Sequence, residues 1–255
     1  MKIIYALIVF CLSFSVNAQS ADEVIDRYFQ VNGGRENMGK NLRNTKEVYE
    51  VNIIEIKKTV AHTEFKNEFG KEKSVDEWEY GEDSGKAESV EIFNGKNGYT
   101  FTFMNQSLVQ SEEWDSNKIV KKKNESSLLD ACKSVKEYGD SAIFEGIEVF
   151  NSKKCFKIKY VKNIQNYDTT SEDKNLEYHF FDLNTSLEIG VKNFDKNDVE
   201  TISIIEEFLI VNGLSLPKKT LLVKNGKLYA TMILKELLTD FILPEKEFEK
   251  ATYFK

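Results

Sequence analysis

Residues 200–238 constrain the fold more than any other part of the chain. They read as three apolar runs, ETISIIEEFLIV, LSLPKKTLLV and KLYATMILKELL, separated by Asn212-Gly213 and by Lys224-Asn225-Gly226. Asn-Gly supplies two consecutive residues that tolerate positive φ, which tight hairpin turns matching the strand twist demand. Three strands joined by two such turns form a β-meander. In the third run Leu228, Ala230, Met232 and Leu234 share one face, while Tyr229, Thr231 and Lys235 share the other. One face is therefore built to be buried.

Strand patterns fill most of the preceding chain. KEVYEVNIIEIKK, HTEFKNEF and SVDEWEY follow Thr45, and VEIF and YTFTFM flank the turn at residues 94–98. SAIFEGIEVF and CFKIKYV flank residues 151–154, and LEYHFF and LEIGVKNF flank residues 182–186. Alternation sets Tyr99, Phe101 and Phe103 on one face of their strand, Phe156, Ile158 and Tyr160 on one face of theirs, and Leu176, Tyr178 and Phe180 likewise. About ten or eleven strands are too many for a small flat sheet, so strong coiling or partial barrel closure is expected.

Helical pattern is confined to few places. Ser20-Ala21-Asp22-Glu23 is a capping box that opens a helix, and Asn32-Gly33-Gly34 stops it. A short second helix is expected at residues 35–42. Residues 105–136 break the strand pattern; they hold Trp114, the lysine run 121–123, read as a solvated loop, and a short helix, SSLLDACKSV. Residues 243–248 read as a helical turn covering the end of the sheet. The fold class is α+β, with no domain boundary after the leader, so residues 19–255 form a single domain.

Residues 1–18 have the plan of a secretory leader: Lys2, the apolar run IIYALIVFCLSF, then Ser15-Val16-Asn17-Ala18 with small residues before the cut. Cleavage after Ala18 is expected, and the run is shorter than the roughly 20 apolar residues a membrane span needs. A lipoprotein leader acylated at Cys11 is the alternative. Phe10 argues against it, because a small residue must precede the acylated cysteine. The expected product is exported and carries no lipid anchor.

Forty-two acidic against 35 basic residues give a net charge of −7. An acidic surface argues against nucleic acid as a partner. Two cysteines remain after the leader, Cys132 and Cys155, in a compartment that permits disulfides. A bond between them would stabilise the fold by about 3 kcal/mol; the alternative is two separate buried thiols.

Motifs for chemistry are missing. His62 and His179 are the only histidines, neither has a second ligand at metal spacing, and His179 beside Glu177 reads as part of an exposed strand face. No G-x-S-x-G, phosphate-binding glycine loop or H-E-x-x-H occurs. Adjacent acids such as Glu206 and Glu207 point to opposite sides of a strand and cannot share a proton. Catalytic residues, metal and cofactor are therefore all expected to be absent.

The order of pieces resembles the periplasmic lipoprotein-sorting carriers of Gram-negative envelopes, the LolA/LolB-like superfamily. The resemblance is carried by ADEVIDRYFQVNGG, IFNGKNGYTF, SSLLDACKS with FEGIEVFNSKKCFKIKY, FFDLNTSLEIGVK, EEFLIVNGLSLPKKTLL and FILPEKEFEK, which together span nearly the whole chain after the leader. It implies an incomplete, strongly curved antiparallel barrel lidded by the N-terminal helix and the mid-chain helical insertion, with acyl chains held between. The absence of an acylated N-terminal cysteine makes the chain resemble the soluble carrier more than the anchored acceptor.

Two functions follow as expectations. The first is a periplasmic carrier or chaperone for acyl chains of lipoproteins or other lipids. Its cavity candidates are Trp78, Tyr80, Tyr99, Phe101, Phe103, Phe156, Ile158, Tyr160, Tyr178 and Phe180. These aromatic stripes can equally fill a packed core, and the resemblance favours the pocket. The second is a non-enzymatic envelope module of the same fold with a filled cavity, which binds a protein partner.

Overall fold

The computed structural model describes residues 20–80, 85–123, 141–161, 173–195 and 197–254. The leader, the SSLLDACKSV segment and Cys132 lie outside them. Among the described residues thirteen strands form one unclosed, curved antiparallel sheet in the order β6-β5-β4-β3-β2-β1-β13-β12-β11-β10-β9-β8-β7. The strands are β1 Thr45–Ile53, β2 Lys58–Lys66, β3 Glu72–Tyr80, β4 Gly85–Phe93, β5 Gly98–Met104, β6 Ser107–Glu113 and β7 Ser141–Phe150. They continue with β8 Lys153–Val161, β9 Asp173–Asp182, β10 Glu188–Asp195, β11 Glu200–Val211, β12 Leu214–Lys224 and β13 Lys227–Thr239. Both Asn-Gly hairpins form, with Asn212, Gly213, Asn225 and Gly226 all at positive φ.

Thirteen strands exceed the ten or eleven expected from the sequence. β6 went unread because SLVQSEE is an almost fully exposed edge with no apolar alternation. The run KEVYEVNIIEIKK is not one strand: β1 ends at Ile53 and the chain turns through residues 54–57, with Lys57 at φ 50.

Residues directly opposite on neighbouring strands share a face, so the register assigns every side chain to one of two faces. One row crosses eight strands: Ile53, Ala230, Leu222, Ser203, Val191, His179, Ile158 and Phe144. This face carries the helices. α1, Ala21–Val31, has the full Ser20–Glu23 capping box and buries Val24, Ile25, Tyr28 and Phe29. These pack on Phe156, Ile158, Tyr160, Phe181 and Leu214. Asn32 at its end is buried; it donates to the Tyr28 carbonyl at 2.9 Å and accepts from the Ser215 N–H at 2.7 Å, which fixes α1 to β12. α2 follows at Arg35–Asn41.

At the other end of the helix face, α3, Ser116–Lys123, follows Trp114. The indole stacks on Phe93 with centroids 6.1 Å apart and donates to Thr100 Oγ1 at 2.8 Å. Lys118 reaches Glu91 at 2.8 Å, and Lys122 pairs with Glu72. The lysine run is thus part of a helix tied to the sheet, where the sequence suggested a solvated loop.

The opposite face has its own cores. Val90, Ile92, Tyr99 and Phe101 are covered by the C-terminal segment, whose Tyr253 stacks on Phe101 at 4.8 Å. That segment contains 3-10 turns at Glu245–Phe248 and Lys250–Tyr253, the first matching the expected helical turn. Phe150, Cys155, Phe180 and Ile189 form the second core, with Phe150 and Phe180 stacked at 4.0 Å. Cys155 is a buried thiol whose Sγ lies 3.2 Å from the Lys153 carbonyl. Its expected disulfide partner, Cys132, is outside the described residues.

Candidate functional site

The ten cavity candidates do not gather in one place. The register puts Trp78, Tyr80, Phe156, Ile158 and Tyr160 on the helix face, and Tyr99, Phe101, Phe103, Tyr178 and Phe180 on the opposite face. Alternation correctly groups residues within a strand, but only the register says which face each group joins. Phe156, Ile158 and Tyr160 are packed beneath α1, and Tyr99 and Phe101 beneath the C-terminal segment. Phe180 lies under Phe150. Trp78 and Phe103 do meet at a cleft of about 820 Å³. The cleft includes the turn residues Lys57 and Gln106, so it reaches around the end of the sheet, and its other lining is largely charged: Lys58, Glu77, Lys86 and Glu88.

The better candidate for holding an apolar ligand is the middle of the helix face. Between the α1 end and the α3 end, β1, β13, β12, β11 and β10 present Val51, Met232, Leu222 and Val191, all half-buried, around buried Ala230, Leu234 and Ile205. This trough is built mostly by meander residues, with Val51 of β1 and Val191 of β10 added at its sides. The sequence showed Ala230, Met232 and Leu234 on one face, but that signal was read only as core.

A histidine–carboxylate group flanks the trough on each side. On the β2 side, His62 Nδ1 lies 2.7 Å from Asp76, and the Tyr49 ring stands 6.1 Å from the imidazole. The Asp76 hydrogen bond raises the His62 pKa above its ordinary value against the opposing effect of burial. Tyr49 donates to Glu47; burial, then the Glu47 charge, push the phenol up.

On the β9 side, His179 Nδ1 lies 2.6 Å from Glu188, and Nε2 lies 3.3 Å from Glu177. His179 is only 6% exposed, which corrects the expectation of an exposed strand face. Burial alone would lower its pKa; the hydrogen bonds and charges of both glutamates outweigh burial and hold it at about 9. Burial, then the Glu188 charge, push Tyr28 up as well.

Both imidazoles are thus bonded to carboxylates. Among the described residues no group of three His, Cys, Asp or Glu side chains is placed to hold a metal ion. No helix among them is long and apolar enough to cross a membrane. The arrangement can shelter apolar chains on the trough and fix its walls with histidine–carboxylate bonds, buried on the β9 side and partly exposed on the β2 side.

The fold is LolA-like. A DUF1329-family protein from Desulfovibrio piger matches with a TM-score of 0.56 at 12% identity, over 91% of this chain and 98% of that one. A LolA-superfamily protein from Nitrosomonas europaea matches with a TM-score of 0.54 at 10% identity, over 92% and 100%. An outer-membrane lipoprotein-sorting protein domain from Vibrio parahaemolyticus matches with a TM-score of 0.53 at 9% identity, over 90% and 99%. At these identities the likeness is one of fold. No protein-family sequence model matches the chain, and no curated protein sequence does.

Proposed function

We propose that this chain is a non-enzymatic carrier or chaperone that seats acyl chains of lipoproteins or other lipids on the apolar trough of its helix face. It acts in the periplasm after export and cleavage behind Ala18, without a lipid anchor. The observation that carries this reading is the half-buried apolar set Val51, Met232, Leu222 and Val191, spread over two neighbouring rows of the sheet and flanked by helices at both ends. The LolA-like fold supports it, since one of the structures it matches is of a lipoprotein-sorting domain. Holding would be by burial alone, at about 0.8 kcal/mol per methylene removed from water.

Native mass spectrometry of the protein purified from its own envelope, with lipid extraction of any adduct, tests the proposal. An acylated species bound one to one is the expected result. A clean unliganded mass, together with no uptake of a fluorescent fatty acid, overturns it.

The second reading, an envelope module that binds a protein partner, has one observation in its favour: Phe156, Ile158 and Tyr160 are sealed beneath α1 and do not line an open space. A partner retained after delipidation, with no fatty-acid uptake, would select it.

A further inference from the structure

Two hairpin tips stand side by side at one end of the sheet. β1 and β13 are neighbours, so the turns at residues 54–57 and 225–226 leave the same rim, and the Ile54 N–H donates to the Tyr229 carbonyl at 2.8 Å. Ile54, Ile56 and Leu228 are 47%, 56% and 42% exposed there. Lys57, Lys58, Lys224 and Lys227 belong to the same tips and are all exposed. None of these four has a carboxylate partner among the described residues, whereas Lys192 and Lys235 nearby are paired with Glu200 and Glu50. Glu55 is the one acid within the tips, in a chain whose net charge is −7.

Packing explains neither feature. Exposed apolar side chains beside ammonium groups with no carboxylate partner among the described residues fit a surface that is apolar beneath an anionic layer. The isoleucines would enter the acyl boundary while the lysines sit among phosphates. The rim also adjoins the trough, because Ile53 and Ala230 are the paired strand residues just inward of these turns.

We propose that the β1–β2 and β12–β13 hairpin tips seat the protein on an anionic lipid surface, with the trough opening toward the bilayer. The docking stands on the tips alone; only the role of the trough rests on the carrier reading.

The test is co-sedimentation of the purified, delipidated protein with phosphatidylglycerol–phosphatidylcholine vesicles and with phosphatidylcholine vesicles, at low and high salt. Binding to the anionic vesicles, weakened by salt, is expected. Each lysine near such a surface contributes roughly fivefold to partitioning, or about 1 kcal/mol. The pair Lys58→Gln with Lys227→Gln should therefore lower binding about 25-fold. Ile54→Ser with Ile56→Ser should weaken it several-fold, and the distant pair Lys96→Gln with Lys246→Gln should leave it unchanged. An unaltered melting temperature in each variant confirms folding. Absence of binding, equal binding to neutral vesicles, or an equal loss in the distant pair overturns the proposal; the last two outcomes point to non-specific adsorption, and capture by an acidic protein without vesicle binding overturns it as well. Fatty-acid uptake by the same proteins separates the two readings. Uptake without vesicle binding removes the docking alone, and vesicle binding without uptake removes the carrier alone.

Discussion

The Trp114 indole lies against the backbone of Gly98, in the space a Cβ at that position would occupy, and the Trp114 backbone N–H donates to the Gly98 carbonyl at 2.9 Å. The absence of a side chain lets the indole reach Phe93 and Thr100 and anchor the start of α3. Gly98→Ala should expel the ring and destabilise the protein by about 1–3 kcal/mol, since the strand backbone cannot retreat. Urea unfolding followed by tryptophan fluorescence measures this; an unchanged midpoint would show that the indole does not need this space.

The His179 cluster predicts a falling stability in alkaline solution. Its pKa is held at about 9, above the ordinary 6.5. The imidazolium's stabilising contribution is therefore complete below about pH 6.5 and is lost as pH rises through about 9. Melting temperature should decline over that window in the wild type. His179→Gln leaves Glu188 without its imidazolium, so it should cost about 3–5 kcal/mol at neutral pH and flatten the alkaline decline. The same slope in both proteins would assign the decline elsewhere.

Asn32 serves two elements with one amide. Asn32→Ala deprives the half-buried Ser215 N–H of its acceptor and should cost about 1–3 kcal/mol. Hydrogen exchange at Ser215 and through α1 should accelerate, whereas exchange in β4 and β5 should change only with global stability.

Phe248 is fully buried in the first of the C-terminal 3-10 turns. Phe248→Ala should cost about 3–5 kcal/mol through lost burial and a residual cavity. Limited proteolysis should then cut first within residues 241–254, and a cut elsewhere would mean that the segment is held chiefly by Tyr253 and the Lys73–Glu247 pair, 2.9 Å apart.

Leu221 and Leu222 are adjacent but face opposite ways, since Leu222 stands opposite Ala230 and Leu221 opposite Thr231. Leu222→Gln should weaken fatty-acid uptake by tenfold or more, and Leu221→Gln should leave it within twofold, both read from fluorescence titration. Equal effects would place the bound chain somewhere other than the trough.

Much of the architecture was legible because local chemistry set it. The Asn-Gly turns, the Ser20–Glu23 box and the strand alternation all recur in the structure as read. What stayed hidden depended on long-range pairing. Nothing in LEYHFF alone shows that His179 lands beside Ile158 beneath a helix, or that Glu188, nine residues on, reaches back to its imidazole. The aromatic stripes misled for the same reason. Phe156 and Phe180 each belong to a convincing apolar face, but their strands meet in a register that pairs Phe156 with Phe181 and sends Phe180 to the other side. β6 was missed because an exposed edge needs no apolar alternation at all.

The strand order also has a consequence for how the molecule is made. Among the described residues every ladder within β1–β6 and within β7–β13 joins strands adjacent in sequence, and only the β1–β13 ladder joins partners from opposite ends of the chain. The local hairpins close over short loops and can form as the chain emerges. The remaining seam waits for Thr239, so a growing chain carries β1 as a bare edge through nearly all of its synthesis. The last strand is a clasp. Until it is in place the protein consists of two half-built sheets, and Thr45–Ile53 is an open border of one of them.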